Sequence, residues 1–285
     1  MKTLNTQYAL SEMAEALEIS LSGWHDHGHK SQRPRQRQDR ELTATLEPLF
    51  EASRRTYGSP RLTHALRQSG RRCGKNRVAR LMRARGLRAR QKRRFRPRTT
   101  QSDHDNPIAP NWLARVPAPD RPDQVWVADI TYIETQEGWL YLAGILDACS
   151  RRCIGWNTES SLHGDLVTRA WAQAWRKRLP GPGLLHHSDR GIQYASGPYR
   201  MRVRSCGAVG SMSRKGNCFD NAIMESFWAT LKTECFGDYL PKSKHEARLM
   251  IFDYIETFYN TRRLHSSLGY VSPEQFENNL ISSTN

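Results

Sequence analysis

Along most of the chain, the alternation of apolar and polar residues picks out elements before any other property is needed. Over 124–134, QVWVADITYIE places Val125, Val127 and Ile133 on one face of an extended strand and Trp126, Ala128, Ile130 and Tyr132 on the other. A strand apolar on both faces has to be covered on both, so it belongs inside a sheet. A turn at 135–138, a second apolar run in WLYLAGILDACS and a third in RCIGWNTE predict a three-stranded meander. DLVTRAWAQAWRKRL then sets Leu166, Val167, Ala170, Trp171, Ala174 and Trp175 on one helical face, which packs on that sheet. After the breaker PGPG a short strand, LLHH, re-enters and leads to Asp189.

Upstream the period is helical. A helix is expected over 9–17, followed by SQRPRQRQDR as a polar basic linker that closes a first segment at residue 40. Ser59 and Pro60 form a cap and first-turn pair for a helix that Gly70 ends; Asn76 opens a second, with Val78, Leu81 and Met82 on one side, that Gly86 ends. Two short helices joined by a Gly-containing turn predict a helix-turn-helix, assigned with a basic arm to 41–100. A Pro-rich linker is expected over 101–120, an α/β core over 121–238 and a helical segment over 239–285. In that last segment Ser243 and Glu246 make a capping box before a helix whose Leu249, Phe252, Ile255 and Tyr259 are expected to pack.

Charge adds a partner to this outline. The 285 residues carry 44 Lys and Arg against 28 Asp and Glu, a formal charge of +16, which attracts phosphate backbones or anionic membrane surfaces. No stretch approaches the run of about 18 apolar residues that a spanning helix needs, and Glu12, Glu15 and Glu18 stand where a signal peptide is charge-poor. A cytosolic protein is expected, with its six cysteines as reduced thiols, since no pair has zinc-ribbon spacing. His25, His27 and His29 likewise lack the spacing of structural metal sites and are expected in a solvated turn. Residues 71–98 contain no acid, so Arg77, Arg80 and Arg83 are expected to meet DNA phosphates.

Against that background three acids stand out. Asp129 lies within the first strand and Asp189 at the carboxyl end of a later one, where open α/β sheets place their ligands. In NCFDNAIMESFWATLKTECF, Ile223, Phe227 and Leu231 form an apolar stripe, with Asn221, Glu225, Ala229 and Lys232 on the opposite face. Converging carboxylates repel one another when empty and become a hard-oxygen cage with Mg²⁺ or Mn²⁺. Two such ions about 3.5 to 4 Å apart support in-line displacement at a phosphodiester.

Between Asp189 and Glu225 lie 35 residues, and Lys232 follows the Glu by seven. With Asp129 this spacing resembles the DDE transposases with a retroviral-integrase-like core. The phrases DITYI, HSDRGIQY, DNAIMESFWATLK and YNTRRLHSSLGYVSPEQF are similar to the second-reading-frame (OrfB-type) transposases of the insertion-sequence three family, over roughly residues 41–280. The resemblance implies an RNase-H-like α/β core, with an N-terminal all-α helix-turn-helix region and a helical C-terminal segment. It also implies that Asp129, Asp189 and Glu225 are catalytic and bind two Mg²⁺ or Mn²⁺ ions, and that Lys232 contacts DNA near the element's end; a surface ion pair within the helix is the other reading of Lys232.

Asn221 is either an orienter behind the acids or a helix-start residue. Arg214 and Lys215 sit in GAVGSMSRKGN, 207–217, expected as a loop ordering over DNA or as a plain surface loop. His186 and His187 are expected in packing or phosphate contact. The implied activity is metal-dependent cleavage and strand transfer at insertion-sequence ends, by a homo-oligomer on double-stranded DNA in the bacterial cytoplasm and nucleoid. A nuclease that cleaves without joining, and a DNA-binding regulator with an inactive core, are the alternatives. The family usually works as a frameshifted fusion with an upstream-frame (OrfA-type) product, and residues 1–40 show no heptad run, so that product is an expected partner.

Overall fold

The computed structural model describes residues 9–22, 34–90, 104–163, 165–214 and 218–284. The chain divides into two compact units, Met1–Ala89 and Arg90–Asn285.

The first unit is helical: α1 (Leu10–Ala16), α2 (Pro34–Ala52), α3 (Ser59–Gln68) and α4 (Lys75–Ala84). Leu42, Leu46 and Phe50, four apart on α2, meet Leu62 and Leu66 of α3 and Val78, Leu81 and Met82 of α4 in one buried stripe. Helix α2 corrects the expectation of a linker over 31–40, because the helix already starts at Pro34. The proline suits a first helical turn, and the polar residues that suggested a linker form the solvent side of an amphipathic helix. Gly58, and not Ser59, occupies the cap position of α3.

The second unit is built on a five-stranded sheet of order β3-β2-β1-β4-β5. Strands β1 (Val125–Thr135), β2 (Gly138–Asp147) and β3 (Cys153–Glu159) form the expected antiparallel meander; β4 (Leu185–Ser188) runs parallel to β1, and β5 (Val209–Met212) parallel to β4. The loop expected over 207–217 therefore contains an edge strand, too short at four residues to show an alternating pattern.

Trp126, Ala128, Ala143, Ile145 and Ile154 cover one sheet face and pack against Leu166, Val167, Ala170, Trp171 and Ala174 of α5 (Asp165–Arg178). The short α6 (Ile192–Ala195) and α7 (Gly197–Ser205) complete that layer through Tyr194, Tyr199 and Val203. On β1 and β2 also pack α8 (Ala222–Leu231) and α9 (Lys244–Phe252), each running on into a π-helical turn, Lys232–Phe236 and Asp253–Tyr259. Ser243 caps α9 as expected, its hydroxyl accepting from the Glu246 amide. Ile255 and Tyr259 are buried as expected, but Leu249 and Phe252 are more than half exposed, and Ala247, Ile251, Tyr254 and Phe258 are buried instead. These four keep the ordinary helical spacing of three and four residues, so the side that faces the core is turned from the one read at Leu249 and Phe252; the π turn starts only at Asp253, and within it Ile255 and Tyr259 are buried as well.

The segments expected to flank the core belong to it. Asn111 donates to Asp220 at 2.9 Å and the Trp112 amide donates to Ser211 Oγ at 3.0 Å, which fastens the Pro-rich stretch to the sheet's β5 edge. At the other edge, Asn260 accepts from the Cys153 amide and donates to its carbonyl, both at 2.9 Å. Glu277 of α10 (Pro273–Thr284) accepts from Arg152 at 2.6 Å, Arg178 at 2.9 Å and Ser150 at 2.7 Å. Glu234 and Arg263 form a buried bidentate pair at 2.6 Å, with Tyr254 donating to the same carboxylate at 2.8 Å. These contacts make the C-terminal segment part of the core.

Candidate active site

The last paired residues of β1 and β4 are Ala128 and Ser188. Asp129 and Asp189 each follow directly, so the two acids stand side by side on neighbouring strands, about 4.8 Å apart in backbone spacing. Asp189 is turned by its own backbone, with the Gly191 amide donating to Oδ1 at 2.9 Å. A Cβ at residue 191 would sit 3.0 Å from that oxygen, which accounts for the glycine.

Glu225 comes from the first turn of α8 and is exposed. The carboxyl of Asp129 is held well above the usual carboxylate range, first by burial, then by the charge of Asp189 and, more weakly, of Glu225; hydrogen bonds from the Ile130 amide and the Trp228 indole oppose this. Asp129 therefore feels the charge of both other acids. Among the described residues no group of three His, Cys, Asp or Glu side chains is gathered closely enough to hold a metal ion, so the structure sets Asp129 beside Asp189 and leaves the exposed Glu225 outside a closed site. The donors these acids offer are nevertheless all carboxylate oxygens, a chemistry that suits Mg²⁺ or Mn²⁺.

The apolar stripe of α8 is Met224, Phe227, Trp228 and Leu231, with Ile223 only partly buried. The expected partition is thus shifted by about one residue. Asn221 is buried, not exposed beside Glu225: its Nδ2 donates to the Ala128 carbonyl at 3.4 Å, and its Oδ1 is buried with no partner in the protein. It occupies the cap position at the start of α8, without a side-chain cap bond, and its side-chain amide reaches the residue before Asp129. Lys232 is partly buried; burial lowers its ammonium pKa and the nearby Asp129 charge opposes that.

His186 and His187 pack. Burial lowers their imidazoles to about 3 and about 4, and they bond Tyr199, and Ser211 with Ser213, respectively.

The arginines expected on DNA divide. Arg77 and Arg80 converge on Asp39 of α2, at 2.7 and 2.5 Å, whereas Arg83 is exposed. The acid-free stretch obtains its acid from a helix more than thirty residues upstream. Arg214 grips Asp220 through its amide at 2.8 Å and its guanidinium at 3.0 and 3.1 Å. Lys215 lies outside the described residues, as do His25, His27 and His29.

Sequence reasoning missed Trp228, whose indole donates to Asp129 Oδ2 at 3.0 Å, and Gly144, which pairs with Asp129 across β1 and β2. A glycine in the middle of a buried strand was the available signal.

The HTH-like domain family matches residues 36–95, and two integrase core domain families match residues 119–218 and 207–273. The chain is 44% identical over 264 residues to the insertion element IS600 uncharacterized 31 kDa protein of Shigella sonnei, covering 93% of this chain and 97% of that protein. It is 41% identical over 236 residues to the transposase for insertion sequence element IS904 of Lactococcus lactis, covering 83% and 93%. With transposase InsF for IS3A of Escherichia coli K12 the identity is 38% over 275 residues, or 95% of each chain.

Among solved structures, a simian T-cell lymphotropic virus intasome in complex with a PP2A regulatory subunit has a TM-score of 0.48 at 14% identity, covering 82% of this chain and 74% of that one. The HTLV-2 integrase catalytic core domain with magnesium has a TM-score of 0.42 at 16% identity, covering 55% and 98%. The relatives span nearly the whole sequence, and the chain belongs to the IS3 family of insertion-element transposases, with an integrase core.

Proposed function

We propose that Asp129, Asp189 and Glu225 are the catalytic acids of a DNA transposase that cuts a strand at an insertion element's end and joins the freed 3′-hydroxyl to another phosphodiester. The observation that carries this is the placing of Asp129 and Asp189 at the end of the β1–β4 pairing, with the charge of Asp189 and Glu225 acting on Asp129, in a chain of this family. Asp129 and Asp189, fixed on strands, and Glu225, on a helix, would hold Mg²⁺ or Mn²⁺, two ions in the full reading. Such ions activate an attacking oxygen and stabilise the leaving one. In the first step an O–P bond forms from water and the P–O3′ bond at the element's end breaks, leaving the 3′-hydroxyl. In the second, that hydroxyl oxygen bonds a target phosphorus while the target's own P–O3′ bond breaks, so the number of phosphodiesters is unchanged.

Lys232, partly buried on the Asp129 side, is placed to neutralise a phosphate held there. DNA is gripped by the exposed arginines of the HTH-like domain, Arg83 foremost, and by Arg214 and Lys215. Asn221 orients the Asp129 end of β1. A second copy on DNA and an upstream-frame product are the proposed partners. No helix among the described residues is long and apolar enough to cross a membrane, and the proposed location is the cytoplasm, on nucleoid DNA.

The purified protein should join labelled element-end DNA only with Mg²⁺ or Mn²⁺, and Asp189→Asn should lose joining while still binding that DNA. Undiminished joining by Asp189→Asn sinks the assignment; cleavage without joined product, by the unaltered chain, selects the nuclease.

A further inference from the structure

Trp228 reaches Asp129 from the face of the sheet on which α8 packs. The indole is buried, yet its one polar atom is spent on the carboxylate, Nε1–H to Oδ2 at 3.0 Å. Gly144 stands directly across from Asp129 in the β1–β2 register. A Cβ there would lie 2.6 Å from Trp228 Cη2 and 3.1 Å from Cζ2, closer than packing permits, with Met224 Cε at 3.6 Å. A glycine inside a strand is destabilising relative to alanine, so its presence at this register position needs a cause. Clearance for the indole supplies one.

These are independent observations on the same atom pair: a donor aimed at Asp129, and a missing side chain that lets the donor come close enough. Asn221, one helix turn before Glu225, bonds the Ala128 carbonyl, so α8 is tied to β1 through the residue preceding Asp129 as well. With Oδ2 engaged by the indole and the Ile130 amide also donating to the carboxylate, the group is restricted in its rotation. Hydrogen bonding to the carboxylate also favours its ionised form against burial and the neighbouring acids.

We infer that Trp228 is a positioning residue for the reaction: its indole N–H orients Asp129 for a divalent cation, and Gly144 is the clearance that admits it. This rests on the reading of the three acids as a cation site. Partners behind metal-ligating groups typically contribute 10- to 100-fold in metal affinity.

The test is binding of Mn²⁺ alone to the full chain, read from the loss of the free-ion electron spin resonance signal, alongside melting temperature. Trp228→Phe, which keeps an aromatic ring and deletes the donor, should weaken Mn²⁺ binding about tenfold or more. So should Gly144→Ala, which keeps the indole and displaces it. If Trp228→Phe melts too low to assay, a benzothienyl side chain in place of the indole, the same shape without N–H, takes its place and should show the same weakening. A residue that only packed would change the melting temperature and leave the Mn²⁺ affinity of the folded protein alone. Unchanged affinity in Trp228→Phe or the benzothienyl form, with Asp129→Asn abolishing binding, overturns the role of Trp228 and spares the cation site. Unchanged affinity in Asp129→Asn overturns the cation site itself.

Discussion

In Arg90–Asn285, Arg152 and Arg178 turn toward Glu277 and Arg263 toward Glu234, and all three are largely withdrawn from water. In Met1–Ala89, Arg71, Arg72, Arg83 and Arg88 stay exposed, while Asp39 draws in Arg77 and Arg80 alone. The side chain is the same in both units; what differs is whether the fold delivers an acid to it. Charge counts therefore say that a chain favours polyanions, and the placement of its few acids says which cations remain for them.

The largest effect should come from the core pair. Glu234→Gln leaves the Arg263 charge buried against a neutral partner, at a cost of about 3–5 kcal/mol. Thermal melting should show a much lower transition, and replacing both partners with apolar residues should restore most of it. A Glu234→Gln protein that melts with the unaltered chain would place that arginine with the exposed class.

Acid should separate the units next. The His186 imidazole, buried against Trp171 and bonded to Tyr199, is held at about 3, below its ordinary 6.5, because burial disfavours its charge. The unfolded chain takes up that proton first, so stability present above about pH 6.5 is lost as pH falls toward the folded value. Between pH 7 and pH 5 this amounts to roughly 2 kcal/mol for one such group. Urea unfolding of the core should show that loss, and His186→Gln should shrink it.

The smallest effect sharpens the contrast within the first unit. Arg83→Ala should reduce the salt dependence of DNA binding by about one phosphate contact and leave melting unchanged. Arg77→Ala should instead lower the melting temperature, since Asp39 keeps one partner of two. Equal behaviour of the two variants in both measurements would erase the distinction drawn from Asp39.

The meander, α5 and the strand leading to Asp189 were legible because their periods are local and their burial two-sided. The positions of the three acids were legible for the same reason, since strand ends and helix faces are counted along the chain. Less visible were features that need a distant partner. Asp39 captures arginines from another helix, α9 turns Ala247 and Ile251 inward where Leu249 and Phe252 were expected, and β5 is too short to carry a pattern. Trp228 was hidden by its own chemistry: counted as apolar, it also carries an N–H that only the folded chain shows to be in use.

The side chains of Asn260 and Gln173 occupy backbone positions of β3 that a neighbouring strand would otherwise claim, Gln173 accepting from the Trp156 amide at 2.6 Å. They act as a stopper on an open ladder, where an unpaired rim invites strands from other molecules. A product truncated ahead of residue 260 would be no trimmed enzyme but a sheet with an unguarded border, and its fate in the cell would be self-association.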